Sequence, residues 1–180
     1  MYDIKHSYGL FIALIITLVL ISGCIGTETD EGTEPEEVID WKEVELTDTI
    51  TGDTFKISDF EGQTVMLETF AVWCPTCLQQ QKEMEELAGI KPGVIHISLD
   101  TDPNEDTELV RDHAEKNGFD WYFAVAPIEM TESLIDEFGF VVVNAPSAPV
   151  VLICNDQSTR LLDRGLKQSD ELIMELEEGC

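Results

Sequence analysis

The run Thr64-Val65-Met66-Leu67-Glu68-Thr69-Phe70-Ala71 leads through Val72 into Trp73-Cys74-Pro75-Thr76-Cys77, and from there into a helical pattern. A mostly apolar run of this length reads as a strand covered on both faces, which places helices above and below a sheet. Two thiols separated by two residues at the turn out of such a strand can close a small disulfide ring. The first lies at a helix N-terminus, where the backbone dipole favours negative charge on sulfur. One segment therefore sets both a layer architecture and a chemistry: a dithiol that can be oxidised and reduced repeatedly.

The flanking pattern agrees with a layered α/β domain. Val44 and Leu46 alternate with polar residues, Thr51-Gly52-Asp53 reads as a turn, and Thr54-Phe55-Lys56-Ile57 returns as a hairpin partner. Beyond Cys77 a broken apolar stripe over Leu78, Gln81, Met84 and Leu87-Ala88 predicts a helix ending near Gly89, ahead of Pro92. Gly93 to Asp100 predicts a buried strand, Asn104 to Asn117 a second helix stopped by Gly118, and Trp121 to Val125 another strand. Thr131 to Phe138 predicts a short helix capped by Thr131. Pro149 to Cys154 and Arg160 to Arg164 predict strands, and Ser169 caps a last helix through Glu178. Alternating strands and helices with one terminal hairpin imply layers around a mixed sheet.

The first 40 residues have a different texture. Lys5 and His6 precede the apolar run Leu10–Ile21, whose length suits a signal-peptide core and falls short of the ~20 residues needed to span a bilayer. Leu20-Ile21-Ser22-Gly23-Cys24 resembles the lipobox of prokaryotic lipoproteins, which makes Cys24 the expected lipidation site; the alternative is an uncleaved signal anchor. Residues 1–23 are read as the signal peptide and 24–40 as an acidic flexible tether with almost no apolar side chains. Residues 41–180 form the folded domain. Either anchor leaves that domain on the extracytoplasmic face of the cell membrane. With 37 Asp+Glu against 10 Lys+Arg and a net charge of −27, the chain repels nucleic acid, which is excluded as a partner.

Cys74 and Cys77 have three readings: a redox dithiol, half of a metal site, or an inert pair. A structural zinc site needs four ligands, and Cys154, Cys180, His96 and His113 lack the spacing of a second knuckle. His96, in an apolar strand, and His113, on a helix, read as packed or solvated residues. No metal and no cofactor is expected. Cys154 reads as a buried small hydrophobe and Cys180 as a flexible terminus, with a Cys154–Cys180 bridge as the alternative.

Val65 through Cys77 resembles the active-site strand and turn of the thioredoxin superfamily. Leu46, Gly52, Ile57, Asp59-Phe60 and Gly62 resemble the leader of its membrane-anchored TlpA/ResA-type branch, and Ala148-Pro149-Val150-Val151-Leu152-Ile153 its proline loop and following strand, with Gly165 closing the next. The likeness runs from about Val44 to the C-terminus, about three quarters of the chain. It implies a thioredoxin-like three-layer α/β/α sandwich with a mixed central sheet and an N-terminal β-hairpin extension. It also implies Cys74 as the exposed attacking thiol, Cys77 as the buried resolving thiol, and Pro149 as a cis-proline facing the disulfide, in preference to Pro146. The Ala148 backbone would pair with bound substrate, and Trp73, Pro75 and Thr76 would shape the docking surface. Glu68, six positions before Cys74, falls where the family often carries a buried acid; such a carboxyl would have a raised pKa and pass protons to or from Cys77. The competing reading points Glu68 to solvent.

Two departures leave the redox direction open. Pro75 follows the first Cys instead of preceding the second, and Gln80 stands where an acid is common three residues beyond the second Cys. The resemblance implies a membrane-tethered thiol–disulfide oxidoreductase acting on protein thiols and disulfides, recharged by a membrane electron donor of thiol-transporter type. Its alternatives are a disulfide-forming oxidase using the same residues and a thioredoxin-fold metallochaperone.

Overall fold

The structure, a computed structural model, describes residues 39–180. The apolar leader, Cys24 and all but the last two residues of the acidic tether lie outside the described residues. The described residues begin two positions before Trp41. Asp40 caps a short 3-10 helix, Trp41–Glu43, by accepting from Lys42 N, and Ile39 O accepts from Ser133 Oγ.

Strand β3 (Val65–Phe70) is the axis of the molecule, with all six residues buried. It pairs in parallel with β4 (Ile95–Asp100), which pairs in parallel with β5 (Tyr122–Val125). On its other edge β3 meets β6 (Val150–Ile153) antiparallel, and β6 continues antiparallel into β7 (Thr159–Leu161). The sheet is therefore mixed, in the order β5-β4-β3-β6-β7. A separate hairpin of β1 (Leu46–Thr47) and β2 (Thr54–Phe55) precedes it. The segment Ile57–Phe60, read as the end of a returning strand and a turn, forms a 3-10 helix that buries Ile57 and Phe60.

Side-chain alternation divides the sheet into two apolar faces. Val65, Leu67, Ile97, Leu99, Ala124, Val151 and Ile153 pack against Trp41, the hairpin residues Leu46 and Phe55, and Met130 and Leu134 of α3 (Ile128–Phe138). The opposite face carries α1 (Pro75–Ile90), α2 (Thr107–Asn117) and α4 (Ser169–Glu178). There, Phe70 and Phe123 meet Cys77, Val110 and Ala114, while Met66, Val150 and Leu152 meet Met84, Leu87 and Leu172. This is the expected three-layer sandwich with an N-terminal hairpin. No helix among the described residues is long and apolar enough to cross a membrane.

Two expected caps differ. Helix α3 starts one turn early, at Ile128 behind Pro127, because Met130 is already needed in the core; Thr131 Oγ1 donates back to Pro127 O and so sits inside the helix. Helix α4 is capped by Gln168, whose box with Glu171 leaves the Ser169 N–H to donate to Glu83 Oε2 on α1.

The Cys154 and Cys180 readings are corrected: the two form a disulfide, with Cα atoms 6.0 Å apart. Helix α4 runs back along β7, and Arg160 on that strand bonds Glu175 Oε2, Glu175 O and Gly179 O. That grip holds the last residues beside the end of β6, so the terminus is pinned instead of loose. The bridge closes a segment of 26 residues, and the lost unfolded-state entropy predicts that Cys154→Ser with Cys180→Ser costs about 3 kcal/mol. Urea unfolding of the double variant measures it. A loss below about 0.5 kcal/mol would mean the Arg160 contacts alone hold the helix.

Candidate active site

The turn out of β3 delivers Cys74 to the first position before α1. Cys74 is the helix cap: its Sγ accepts from Cys77 N at 3.2 Å, and Pro75 occupies the first helical position, where its missing N–H costs nothing. Three residues on, Cys77 points back into the protein and its thiol donates to Ala145 O at 3.1 Å. Both thiols are free. Burial raises the Cys77 pKa first of all, with the Cys74 sulfur and the charge of Glu68 adding to it. Cys77 therefore holds its proton firmly and needs a base to act as a nucleophile.

The expectation of an exposed Cys74 is corrected. Cys74 and Cys77 are each 1% exposed, packed with Phe70, Ala71 and Ala145 in one apolar cluster. The segment 144–148 folds in against the dithiol, a tertiary contact that strand and helix patterns do not report. Trp73, by contrast, is 59% exposed, Pro75 is exposed and Thr76 half-buried, so these three frame the outer rim.

Pro149 is reached in a different way than expected. Every peptide bond among the described residues is trans, the one before Pro149 included. The chain reverses instead through Ala148, which adopts the left-handed conformation at φ 45°, a geometry costing a non-glycine residue about 1–3 kcal/mol. Ala148 N donates to Ala145 O, and Ala148 O accepts from Lys167 Nζ at 2.9 Å. The Ala148 backbone, expected to be open for substrate pairing, is thus engaged within the chain in this state.

Glu68 settles the choice between core and solvent. It is fully buried on β3, on the face beneath α1, and desolvation raises its pKa to about 8. Ser98 on β4, directly opposite in register, donates to Glu68 Oε2 at 3.2 Å and itself accepts from Trp121 Nε1. Gln81 lies beside the other oxygen, yet Glu68 Oε1 and Gln81 Nε2 both lack a hydrogen-bond partner. Gln81 Oε1 can only accept, so His113 Nε2, 2.7 Å away, carries the proton there. A polar seam thus runs under α1 between two apolar clusters. His96, on the same sheet face, is buried with neither ring nitrogen bonded, and burial lowers its pKa to about 4.

Several site residues had no signal in the chain. Trp73 Nε1 donates to Asp102 Oδ2 at 2.7 Å, and Val72 N donates to Glu105 Oε2 at 2.6 Å, so the loop after β4 grips the active-site turn with two carboxylates. Asp100, buried behind them with Oδ2 unbonded, has its pKa raised to about 7 by burial, with Glu105 contributing. Asp102 is held below the usual range, chiefly by the Trp73 bond. The sequence instead ends a buried strand at Asp100 and starts a helix at Asn104; the helix begins only at Thr107, and Asp102 and Glu105 lie in the loop before it. Lys167 gave no hint either, since a lysine before a terminal helix reads as surface.

These features define a thioredoxin-like α/β fold with a two-cysteine turn at the C-terminal edge of its central strand. No family model matches the chain. Over 100 residues it is 35% identical to the thiol:disulfide interchange protein DsbE of Vibrio cholerae; the match covers 50% of this chain and 53% of that one, about half the relative's length. Among solved structures it resembles a thiol:disulfide interchange protein of the thioredoxin family from Chlorobium tepidum, with TM-score 0.65 and 14% identity over 76% of this chain and 92% of that one. It also resembles the pneumococcal exposed lipoprotein thioredoxin Etrx1 from Streptococcus pneumoniae, with TM-score 0.57 and 19% identity over 75% and 98%.

Glu68 makes stability depend on pH in a defined sense. Unfolding lets the carboxyl ionise from its ordinary 4.5 upward, whereas the folded site holds the proton to about 8. Its contribution is complete below pH 4.5 and is lost as the pH rises through 8. Glu68→Gln should therefore gain on the parent between pH 4 and 9, by on the order of 4 kcal/mol. Paired denaturation curves isolate this from Asp100, which titrates in both proteins. A difference independent of pH would show that Glu68 is ionised throughout.

Proposed function

We propose that the chain is an extracytoplasmic, membrane-tethered thiol–disulfide oxidoreductase that reduces protein disulfides through Cys74 and Cys77. The observation that carries this is the free dithiol at the head of α1 with a fully buried carboxyl of raised pKa behind it. The 35% identity to a protein named for thiol:disulfide interchange supports the same chemistry.

The steps follow from the two sulfurs' positions. The Cys74 thiolate, bonded by the Cys77 N–H, attacks one sulfur of a substrate disulfide. A Cys74–substrate bond forms, the substrate S–S bond breaks, and the departing thiolate takes a proton from solvent. Once Glu68 has released its own proton to solvent, as it does near pH 8, Cys77 gives its proton to that carboxylate, and the resulting thiolate attacks Cys74 Sγ. The Cys74–Cys77 bond forms as the second substrate thiolate leaves. The two substrate sulfurs have gained two electrons and the enzyme has lost them. A pKa near 8 suits Glu68 to exchange this proton close to neutral pH. Reset requires an external dithiol donor, for which a membrane thiol transporter is the fitting class.

For substrate to reach sulfurs that are 1% exposed, segment 144–148 must move aside. Trp73, Pro75 and Thr76 at the rim, with Ala148 and Pro149 once displaced, would then receive the substrate chain. The anchor is a lipid on Cys24 once the signal peptide 1–23 is removed, or else the uncleaved leader itself, and residues 24–40 are the tether. The lipobox-like Leu20–Cys24 supports this, as does the likeness to a protein described as an exposed lipoprotein.

Cys74→Ser should abolish turnover of a protein disulfide such as insulin, and Cys77→Ser should accumulate a covalent Cys74 adduct, visible on non-reducing gels and by intact mass. Full turnover by the Cys74→Ser protein would exclude this mechanism.

A further inference from the structure

Lys167 is 7% exposed, although an ammonium is seldom buried without a carboxylate against it. Among the described residues no acid lies within ion-pair distance of it. Its Nζ instead donates to Ala148 O at 2.9 Å and to Gly165 O at 2.6 Å. Its peptide is held from the other side by one carboxamide: Lys167 N donates to Gln80 Oε1 at 2.9 Å, and Gln80 Nε2 donates to Lys167 O at 3.1 Å. Gln80 follows Cys77 by three residues on α1. The contacts close a ring that runs from the Cys77 thiol to Ala145 O, on to Ala148 N, from Ala148 O to Lys167, and through Gln80 back to the helix of the thiols. A second tie, Gly165 N to Ser147 O, braces the same loop.

We propose that Lys167 is a positioning residue for thiol exchange: it fastens the helix that carries both cysteines to the loop that faces them, and supplies the counter-charge against which Glu68 ionises. The second role rests on Glu68 being the proton partner of Cys77; the first does not. Two observations make the charge necessary. The left-handed Ala148 is held by its bonds to Ala145 and Lys167, and a neutral side chain would leave its carbonyl buried with a weaker partner. Both Gln80 bonds hold Lys167 against α1 next to Gln81, the neighbour of Glu68, and from there its ammonium acts on Glu68 at a distance and lowers the pKa that burial raises. The charged or titratable groups around the pair are Cys77 on α1, Glu171 and Glu175 on α4, Asp163 in the loop before α4, His113 behind Gln81, and His96 two residues before Ser98 on β4, which burial keeps neutral. The acids and Cys77 can only add negative charge, and burial keeps His113 neutral, so nothing else in this set offsets an ionised Glu68.

The test uses the full chain, pre-reduced, with glutathione disulfide as probe, followed across pH 6 to 10 at saturating and limiting probe. Lys167→Met should move the midpoint at which the saturated rate rises with pH upward by about one pH unit and raise the half-saturating probe concentration about tenfold. Lys167→Arg, which keeps the charge, should restore the midpoint. Gln80→Ala should raise the half-saturating concentration and leave the midpoint in place. If Lys167→Met does not fold, Lys167→Gln, which can still bond the carbonyls without charge, should shift the midpoint in the same way. A folded uncharged variant with parental midpoint and half-saturation overturns the proposal. If Glu68→Gln keeps the same rise of rate with pH, the proton-partner reading and the counter-charge role fall together, and an unaltered half-saturation in Lys167→Met removes the loop-fastening role separately.

Discussion

Glu68 occupies the middle of the central strand with no access to solvent, and a carboxyl placed there must be neutral or compensated. Desolvation alone would make an ionised carboxylate intolerable at that depth. The structure answers with partial compensation: one hydrogen bond from Ser98, a neighbouring carboxamide and a buried ammonium that acts from a distance. The result is a pKa of about 8, between an inert neutral acid and a permanent charge. Much of the helical face of the sheet is arranged around that compromise. Apolar clusters close it off at both ends, and Gln81, Ser98, His113 and Lys167 form the polar seam between them.

The two ends of the sheet do different work. At the C-terminal end of β3 the chain presents the dithiol, the acidic loop from Asp100 to Asp106 that bonds Val72 and Trp73, and the left-handed turn at Ala148. At the opposite end the Cys154–Cys180 bridge and the Arg160 contacts tie α4 to β6 and β7. The described cysteines are thus divided, an oxidised pair at one end of the sheet and a free pair at the other. Because the ends are separate, the fold can be clamped by a disulfide while Cys74 and Cys77 stay free.

The parts readable from residues were those governed by local pattern. An apolar run, a two-cysteine turn and a helical stripe located β3, Cys74, Cys77 and α1, and hence the layered fold. The unreadable parts depend on partners far apart in the chain. Lys167 meets Ala148 and Gln80, which are 19 and 87 residues away, and no local rule pairs them. Asp102 falls between the predicted elements and Glu105 inside the predicted helix from Asn104, and neither position reports the turn of Trp73 that lies over them. Glu68 was half legible: the thioredoxin resemblance implied a proton partner at its position, but only the fold shows its side chain fully buried rather than turned to solvent. The accessibility of Cys74 was misjudged because segment 144–148 returns over it, and the bridge was underrated because the terminal helix was assumed to end loosely.

The central claim is that Glu68 carries a proton in the resting reduced protein and releases it near pH 8. Infrared titration of the reduced full chain, with Glu68→Gln as reference, reads this directly. A protonated-carboxyl band absent from the variant should be present at pH 6 and disappear with a midpoint near 8. A carboxylate already ionised at pH 6, or a band unchanged to pH 10, would contradict it.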